Sequence, residues 1–169
     1  NTIKHNVGDY TSPQEANNIF TVLEGIQAAV GSDRKITYVK GCSIRDTTVT
    51  TIHEAIDASK KADVAIVVLG GSSARDFETE YEDTGAASVP EKKNTMSDME
   101  SGEGYDRSSL EVMGKQLELL QDIINTGTPV VVVMIEGRPL NLAGLEKKVA
   151  SLLTAWYPGQ EGGNAIADI

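Results

Sequence analysis

Apolar and polar positions along this chain fall into two rhythms that take turns. In "SPQEANNIFTVLEGIQAAVG" (residues 12–31) apolar side chains recur at Ala16, Ile19, Leu23, Ile26 and Val30, the spacing of one helical face. Ser12 stands as a candidate N-cap, Pro13 at the first helical position, Glu15 three residues on, and Gly31 at the end, so a helix is predicted over this stretch. The β-branched and aromatic run "KITYVK" (35–40) predicts a short strand. After the turn "GCS", the stretch "TVTTIHEAIDASKKA" sets Ile52, Ala55, Ile56 and Ser59 on one helical face. "DVAIVVLGG" (63–71) and "TPVVVVMIEG" (128–137) are continuous apolar runs, the pattern of parallel strands buried on both faces. Between them "SSLEVMGKQLELLQDIINTG" carries Leu110, Met113, Leu117, Leu120 and Ile124 at helical spacing and stops at Gly127. "ASLLTAWYPG" predicts a further strand, and "QEGGNAIADI" begins another helix.

Strands alternating with helices imply right-handed crossovers and a three-layer α/β sandwich, a mostly parallel open sheet with helices on both faces. Such a fold places its working loops beyond the carboxyl ends of the strands. The segments that follow the predicted strands, "GCSIRD", "GGSSARDFETEYEDTG…SGEGYDR", "EGRPLN" and "YPGQEGG", hold most of the glycine, charge and aromatic content outside the helices. The loop over 70–107 is far longer than the usual few residues, and loops of that size in a compact domain are functional or disordered. We expect it to be the active-site loop of one domain spanning 1–169.

Composition narrows the chemistry. With 169 residues, 40% hydrophobic and 24% charged, the chain is long enough for one globular core. A formal net charge of −10 argues against nucleic acid and against an anionic membrane surface, because phosphates would be repelled. No apolar run approaches the roughly 18 residues that span a bilayer, and "NTIKHNVGDY" lacks the regions of a signal peptide. The lone Cys42 excludes an internal disulfide and a cysteine-cluster metal site, and it reads as a small buried hydrophobe.

No phosphate-cradling G-x-x-x-x-G-K-[ST], no dinucleotide turn and no G-x-S-x-G elbow occurs. His5 and His53 are the only histidines, one near the terminus and one on a predicted helix, so a serine or cysteine nucleophile has no base. An EF-hand reading from Asp98 fails because Glu103 occupies the sixth position and Ser109 the twelfth. What remains is carboxylate chemistry. The long loop is crowded with Asp and Glu, most of them ordinary solvated charges, but like charges raise one another's proton affinity and can keep a carboxyl protonated as a general acid. Glu103 is the natural candidate, because Gly102 and Gly104 on either side let the backbone bring its side chain close to a ligand.

The succession "ADVAIVVLGG", "SGEGYDRSSLEVMGKQLELLQDI", "GTPVVVVMIEGRPLNL" and "ASLLTAWYPGQEGGNAIADI" resembles the second, α/β-sandwich domain of the family 3 glycoside hydrolases, the β-glucosidase and β-xylosidase family. The likeness runs from about Gly41 to the end, and "GDYTSPQEANNIFTVLEGI" extends it nearly to Gly8. It implies a flavodoxin-like sandwich truncated at both ends, and a retaining exo-acting β-glycosidase in which a barrel-domain aspartate attacks the anomeric carbon. A glutamate of this domain would protonate the leaving oxygen. The resemblance places that acid/base at Glu103, with Glu100 as the alternative. Asp106 and Arg107 would fix the loop to the sheet edge by an ion pair or by backbone contacts, or else touch the sugar. Glu161 would be structural, at a helix start where negative charge is favourable.

The resemblance further implies no cofactor and no metal. Its expected partners are β-linked glucosides, xylosides or oligosaccharides and a missing N-terminal barrel domain, with a homodimer left open; the expected compartment is the periplasm or outside the cell. The chain has no room for a barrel and no nucleophile motif of the family, so it is expected to be inactive alone. Rival readings are a non-catalytic carbohydrate-binding or scaffold module of the same fold, and a phosphate-binding signalling domain, which the acidic loop opposes.

Overall fold

The computed structural model describes residues 3–12, 14–74, 80–81, 83–84, 87–88, 98–102 and 105–169. Its centre is a parallel sheet of β1 (Ala65–Gly70), β4 (Val130–Ile135) and β5 (Ser151–Thr154), in the order β1-β4-β5. β1 pairs β4 with Val67 opposite Val132, and β4 pairs β5 with Val133 opposite Leu153. Runs of valine and isoleucine suit these strands because β-branched side chains pack well on a pleated surface. A separate antiparallel pair, β2 (Glu80–Tyr81) and β3 (Ala87–Ser88), lies within the long loop after β1.

Helices cover both faces, as the α/β reading requires. On one face α2 (Ile52–Ser59) and α3 (Gln116–Ile124) bury Val67, Leu69, Val130, Val132 and Met134 against Ile52, Ala55, Leu119, Leu120 and Ile123. On the other, α1 (Val22–Val30) and α4 (Gly162–Ala167) bring Val22, Ile26 and Ile166 onto Val133 and Ile135. Cys42 packs at the margin of the first cluster, and burial pushes its thiol up from the ordinary value.

Four sequence expectations need correcting. The first helix starts at Val22, not after Ser12, and only a 3₁₀ turn (Ala16–Asn18) precedes it. Thr21 and Glu24 form a capping box, Thr21 N–H donating to Glu24 Oε2 at 2.8 Å and Glu24 N–H to Thr21 Oγ1 at 3.3 Å. The backbone of Phe20 is used elsewhere, its N–H bonded to Gln160 O and its carbonyl to Gly163 N–H. The helix expected from Ser108 starts only at Gln116, because Gly114 at φ 65° interrupts it, and a Cβ there would meet the Ile44 carbonyl. Leu110, before the break, is exposed. "KITYVK" joins no ladder among the described residues: strand propensity supplies no hydrogen-bond partner, and Val39 only packs against the first cluster. Finally, β1 is buried on one face only. Ile66 and Val68 are 43% and 38% exposed, since β1 is at the edge of the described sheet while α1 and α4 lie over the far end of β4.

The two helices of the second face meet backbone to backbone. A Cβ on Gly25 of α1 would fall on the Gly163 carbonyl, and one on Gly163 would fall on the Thr21 carbonyl. Neither obstacle is a flexible side chain, so the helices must separate to admit a methyl. Gly163→Ala is expected to destabilise the fold by about 1–3 kcal/mol, read in urea unfolding as a lower midpoint at unchanged slope.

Candidate active site at the strand carboxyl ends

At the carboxyl end of β1 the chain turns out of the sheet through Gly70 and Gly71. Gly70 N–H donates to Gln116 Oε1 at 2.8 Å, and Gln116 Nε2 donates back to Gly70 O at 2.8 Å. The buried side-chain amide of Gln116 thus stands in for a neighbouring strand, satisfying both backbone groups of Gly70. Gly71 N–H then donates to Ile135 O at 3.0 Å, which ties the exit of β1 to the end of β4. Ser72 and Ser73 follow, both buried.

The returning leg of the loop is stitched to this exit. Glu100 N–H and Ser101 N–H both donate to Ser72 O, at 2.9 and 3.4 Å. The Glu100 side chain is only 1% exposed and its Oε2 forms an ion pair with Arg107 Nη1, whose side chain is 6% exposed. Arg107 also donates from Nε to Ser109 O at 2.9 Å and from Nη2 to Glu111 O. Glu100 Oε1 has no hydrogen-bond partner among the described residues and lies against Gly71, where any Cβ would overlap it. Burial, with Arg138 close by, pushes the Arg107 guanidinium down from its ordinary value.

Of the residues singled out from sequence, Glu100 and Arg107 are therefore brought together, and Asp106 is exposed. Glu103 lies outside the described residues. On either side of it, Tyr105 N–H donates to Gly102 O at 3.2 Å. The amino-terminal segment is fastened to the same edge. Asp9 N–H donates to Ser73 Oγ at 3.2 Å, His5 Nε2 lies 3.4 Å from Asp98 Oδ2, and Arg45 Nη1 donates to Met99 O at 2.9 Å. His5, given no role from sequence, thus lies at the same edge. A cavity of about 270 Å³ opens beside it, lined among others by Tyr38, Lys40, Gly70, Asp98 and Gln116.

Sequence reasoning also passed over Glu136 and Tyr157. Glu136, directly after β4, is 3% exposed and its Oε2 accepts from Leu140 N–H at 3.0 Å. Burial pushes its carboxyl up from the ordinary value, and the Leu140 N–H offsets part of this. The Tyr157 hydroxyl lies 3.5 Å from Ser101 Oγ. The available signal was position: both open segments already read as working loops, "EGRPLN" and "YPGQEGG", at the edge where such folds work.

Two outcomes follow. Glu100→Ala and Arg107→Ala should each cost about 3–5 kcal/mol, because each leaves a buried charge unpaired. The double variant should cost less than their sum, as a double-mutant cycle by denaturation would show. Glu136 binds its proton more tightly folded than unfolded, so stability contributed by the neutral form is present at low pH and lost as pH rises through the unfolded and then the folded value. Glu136→Gln should remove that loss, leaving the variant more stable than the parent at neutral pH and level with it near pH 4 in thermal melts.

A family profile described as "Glycosyl hydrolase family 3 C-terminal domain" matches residues 2–169. A β-xylosidase of Formosa agariphila is 34% identical over 88% of this chain and 17% of its own length. A periplasmic β-glucosidase of Salmonella typhimurium is 31% identical over 96% of this chain and 21% of its own length. Among solved structures, the exo-β-xylosidase XlnD bound to a xylobiose aziridine probe superposes with a TM-score of 0.74 at 25% identity, over 100% of this chain and 18% of that one. The chain thus spans about a fifth of the length of these relatives.

Proposed function

The chain belongs to the glycosyl hydrolase family 3 C-terminal domain family, and from that premise we propose that it supplies the general acid/base of a retaining exo-β-glycosidase whose nucleophile sits on another domain. Glu103 protonates the departing glycosidic oxygen while a barrel-domain aspartate attacks the anomeric carbon. In the second step Glu103 takes a proton from the water that releases the sugar. Retention of configuration needs the two carboxyls about 5–5.5 Å apart, so one of them must be carried out of this domain on an arm.

The observation that carries this reading is the buried pair of Glu100 and Arg107. It joins positions 100 and 107, and the return leg is in turn bonded to Ser72, so the segment holding Glu103 is anchored at the strand carboxyl ends. The same pair separates the two candidate glutamates. Glu100 is held against a guanidinium that favours its anion, and it is closed off from solvent, the reverse of what a proton donor to substrate requires. This supports Glu103 for the role.

β-Xylosides and β-glucosides are the proposed substrates, after the relatives named above, and a periplasmic or secreted setting is proposed on the same ground. The test uses the full polypeptide on nitrophenyl β-xyloside and β-glucoside. Glu103→Gln should lower turnover by about 10²–10⁴, with unchanged circular dichroism and recovery on adding azide. Glu100→Gln should lose activity only in step with folded protein. Azide rescue of Glu100→Gln beside a fully active Glu103→Gln would transfer the role to Glu100. If both variants were silent, the domain would be a scaffold.

A further inference from the structure

β1 stands at the margin of the described sheet with one edge unused. Ala65 N–H donates to Pro129 O at 2.9 Å, so Ala65, Val67 and Leu69 turn their backbone groups toward β4. The alternate residues Ile66, Val68 and Gly70 turn theirs the other way. Gln116 satisfies Gly70 on that side, but among the described residues no strand pairs there with Ile66 or Val68.

Across from this edge lies a second segment that joins no ladder among the described residues. "KITYVK" (35–40) is rich in strand-forming residues, and its carboxyl end is held in place. Val39 and Cys42 pack against the first cluster, Gly41 N–H donates to Thr51 Oγ1 at 3.0 Å, and Thr51 N–H donates to Gly41 O at 2.7 Å. The segment does not close onto β1. The cavity of about 270 Å³ separates them: Tyr38, Lys40 and Cys42 line it together with Val68, Leu69 and Gly70.

This slot has the lining of a central strand position. Leu119 of α3 borders it from one helical layer, and Val22 of α1 with Ile135 from the other. A strand in that place has apolar neighbours above and below and a backbone edge on each side, the setting of a parallel strand buried on both faces. Voids of this size are few in folded domains, and backbone groups left unpaired beside them are costly. His5 and Asn6 line the same cavity, and Asn6 O accepts from Gly159 N–H at 2.8 Å, so the amino-terminal segment passes the mouth of the slot at the carboxyl edge of the sheet. The chain spans about a fifth of the length of its relatives, which leaves most of such a polypeptide to draw on.

We propose that the slot between 35–40 and β1 receives a β-strand of the full polypeptide, from the stretch that leads into residue 1. The strand is apolar on both faces and runs parallel to β1. It leaves the slot at the carboxyl edge and continues as His5 and Asn6, where His5 Nε2 lies 3.4 Å from Asp98 Oδ2. The added strand therefore sits inside the sheet, between 35–40 and β1, and its exit joins the working edge. The inference stands apart from the catalytic reading, and its test measures no activity.

The test is made on the full polypeptide, in its monomeric fraction, by hydrogen exchange resolved to single residues. The Val68 amide should exchange within about tenfold of those of Val67 and Leu69, which pair with β4. Faster exchange than that would leave the edge free and overturn the proposal. Protection confined to a dimeric fraction would give the slot to a second copy and overturn it as well. A cross-link separates an inserted strand from direct closure of 35–40 onto β1. Neighbouring strands lie about 4.8 Å apart, so an inserted strand holds Tyr38 and Val68 at two spacings, beyond the roughly 4.4–6.8 Å between Cα atoms that a disulfide bridges. On a Cys42→Ala background, Tyr38→Cys with Val68→Cys should stay reduced under mild oxidation, and a disulfide between the two would overturn the proposal. Where these substitutions lower the yield of folded protein, exchange in the parent decides by itself.

Discussion

A parallel ladder satisfies its backbone only if every strand is entered from the same end, and that constraint arranges the rest of this molecule. β1, β4 and β5 run side by side in one direction, so the chain must climb back over a face of the sheet between them. Between β1 and β4 the return carries α3, and between β4 and β5 a 3₁₀ turn at Leu145–Lys148. The exits collect at one edge, and there Gly71, Glu136 and Trp156 come within a few bonded contacts of one another although the chain separates them widely. A site at that edge is a consequence of strand direction before it is a matter of any side chain.

The edge is held by polar contacts that exclude water. Gln116 closes the backbone of Gly70, and Ser72 O receives two N–H groups from the return leg. Glu100 and Arg107 are buried as a pair, with Arg107 making further bonds to two carbonyls. Such a pair is weak evidence for stability, since desolvation opposes the attraction. Its effect is positional: a buried charge must find its partner, so the loop can close in few other ways. A long acidic arm needs that restriction if a glutamate on it is to meet a sugar held by a different domain.

The same edge shows where the chain accepts strain. Gly71 leaves room for a carboxylate oxygen, and Gly25 and Gly163 let two helices touch through their backbones. Trp156 meets a comparable turn with the largest side chain available. The glycines relieve crowding, whereas Trp156, like Ala143 at φ 54°, keeps a Cβ in the left-handed region.

The sheet strands and α2 were legible in the sequence because their signals are local: uninterrupted valine and isoleucine for β1 and β4, a clean face of Ile52, Ala55 and Ser59 for α2. So was the edge at which to look for chemistry, and the family, through motifs that keep their order. Where the first helix begins was not legible, since the backbone of Phe20 is claimed by Gln160 and Gly163 from the far end of the chain. Nor was the silence of "KITYVK", which has strand propensity but no partner in the ladder. Nor was the burial of Glu100 against Arg107 and Gly71 legible, since Arg107 and Gly71 are brought to it only by the fold. By itself the sequence determined β1, β4, β5 and α2 and the edge the strands share, because hydrophobic period is a property of neighbouring residues. Tertiary structure alone decided that Glu100 is buried against Arg107 and that the first helix waits until Val22, because desolvation and competing hydrogen bonds arise only when distant segments are brought into contact.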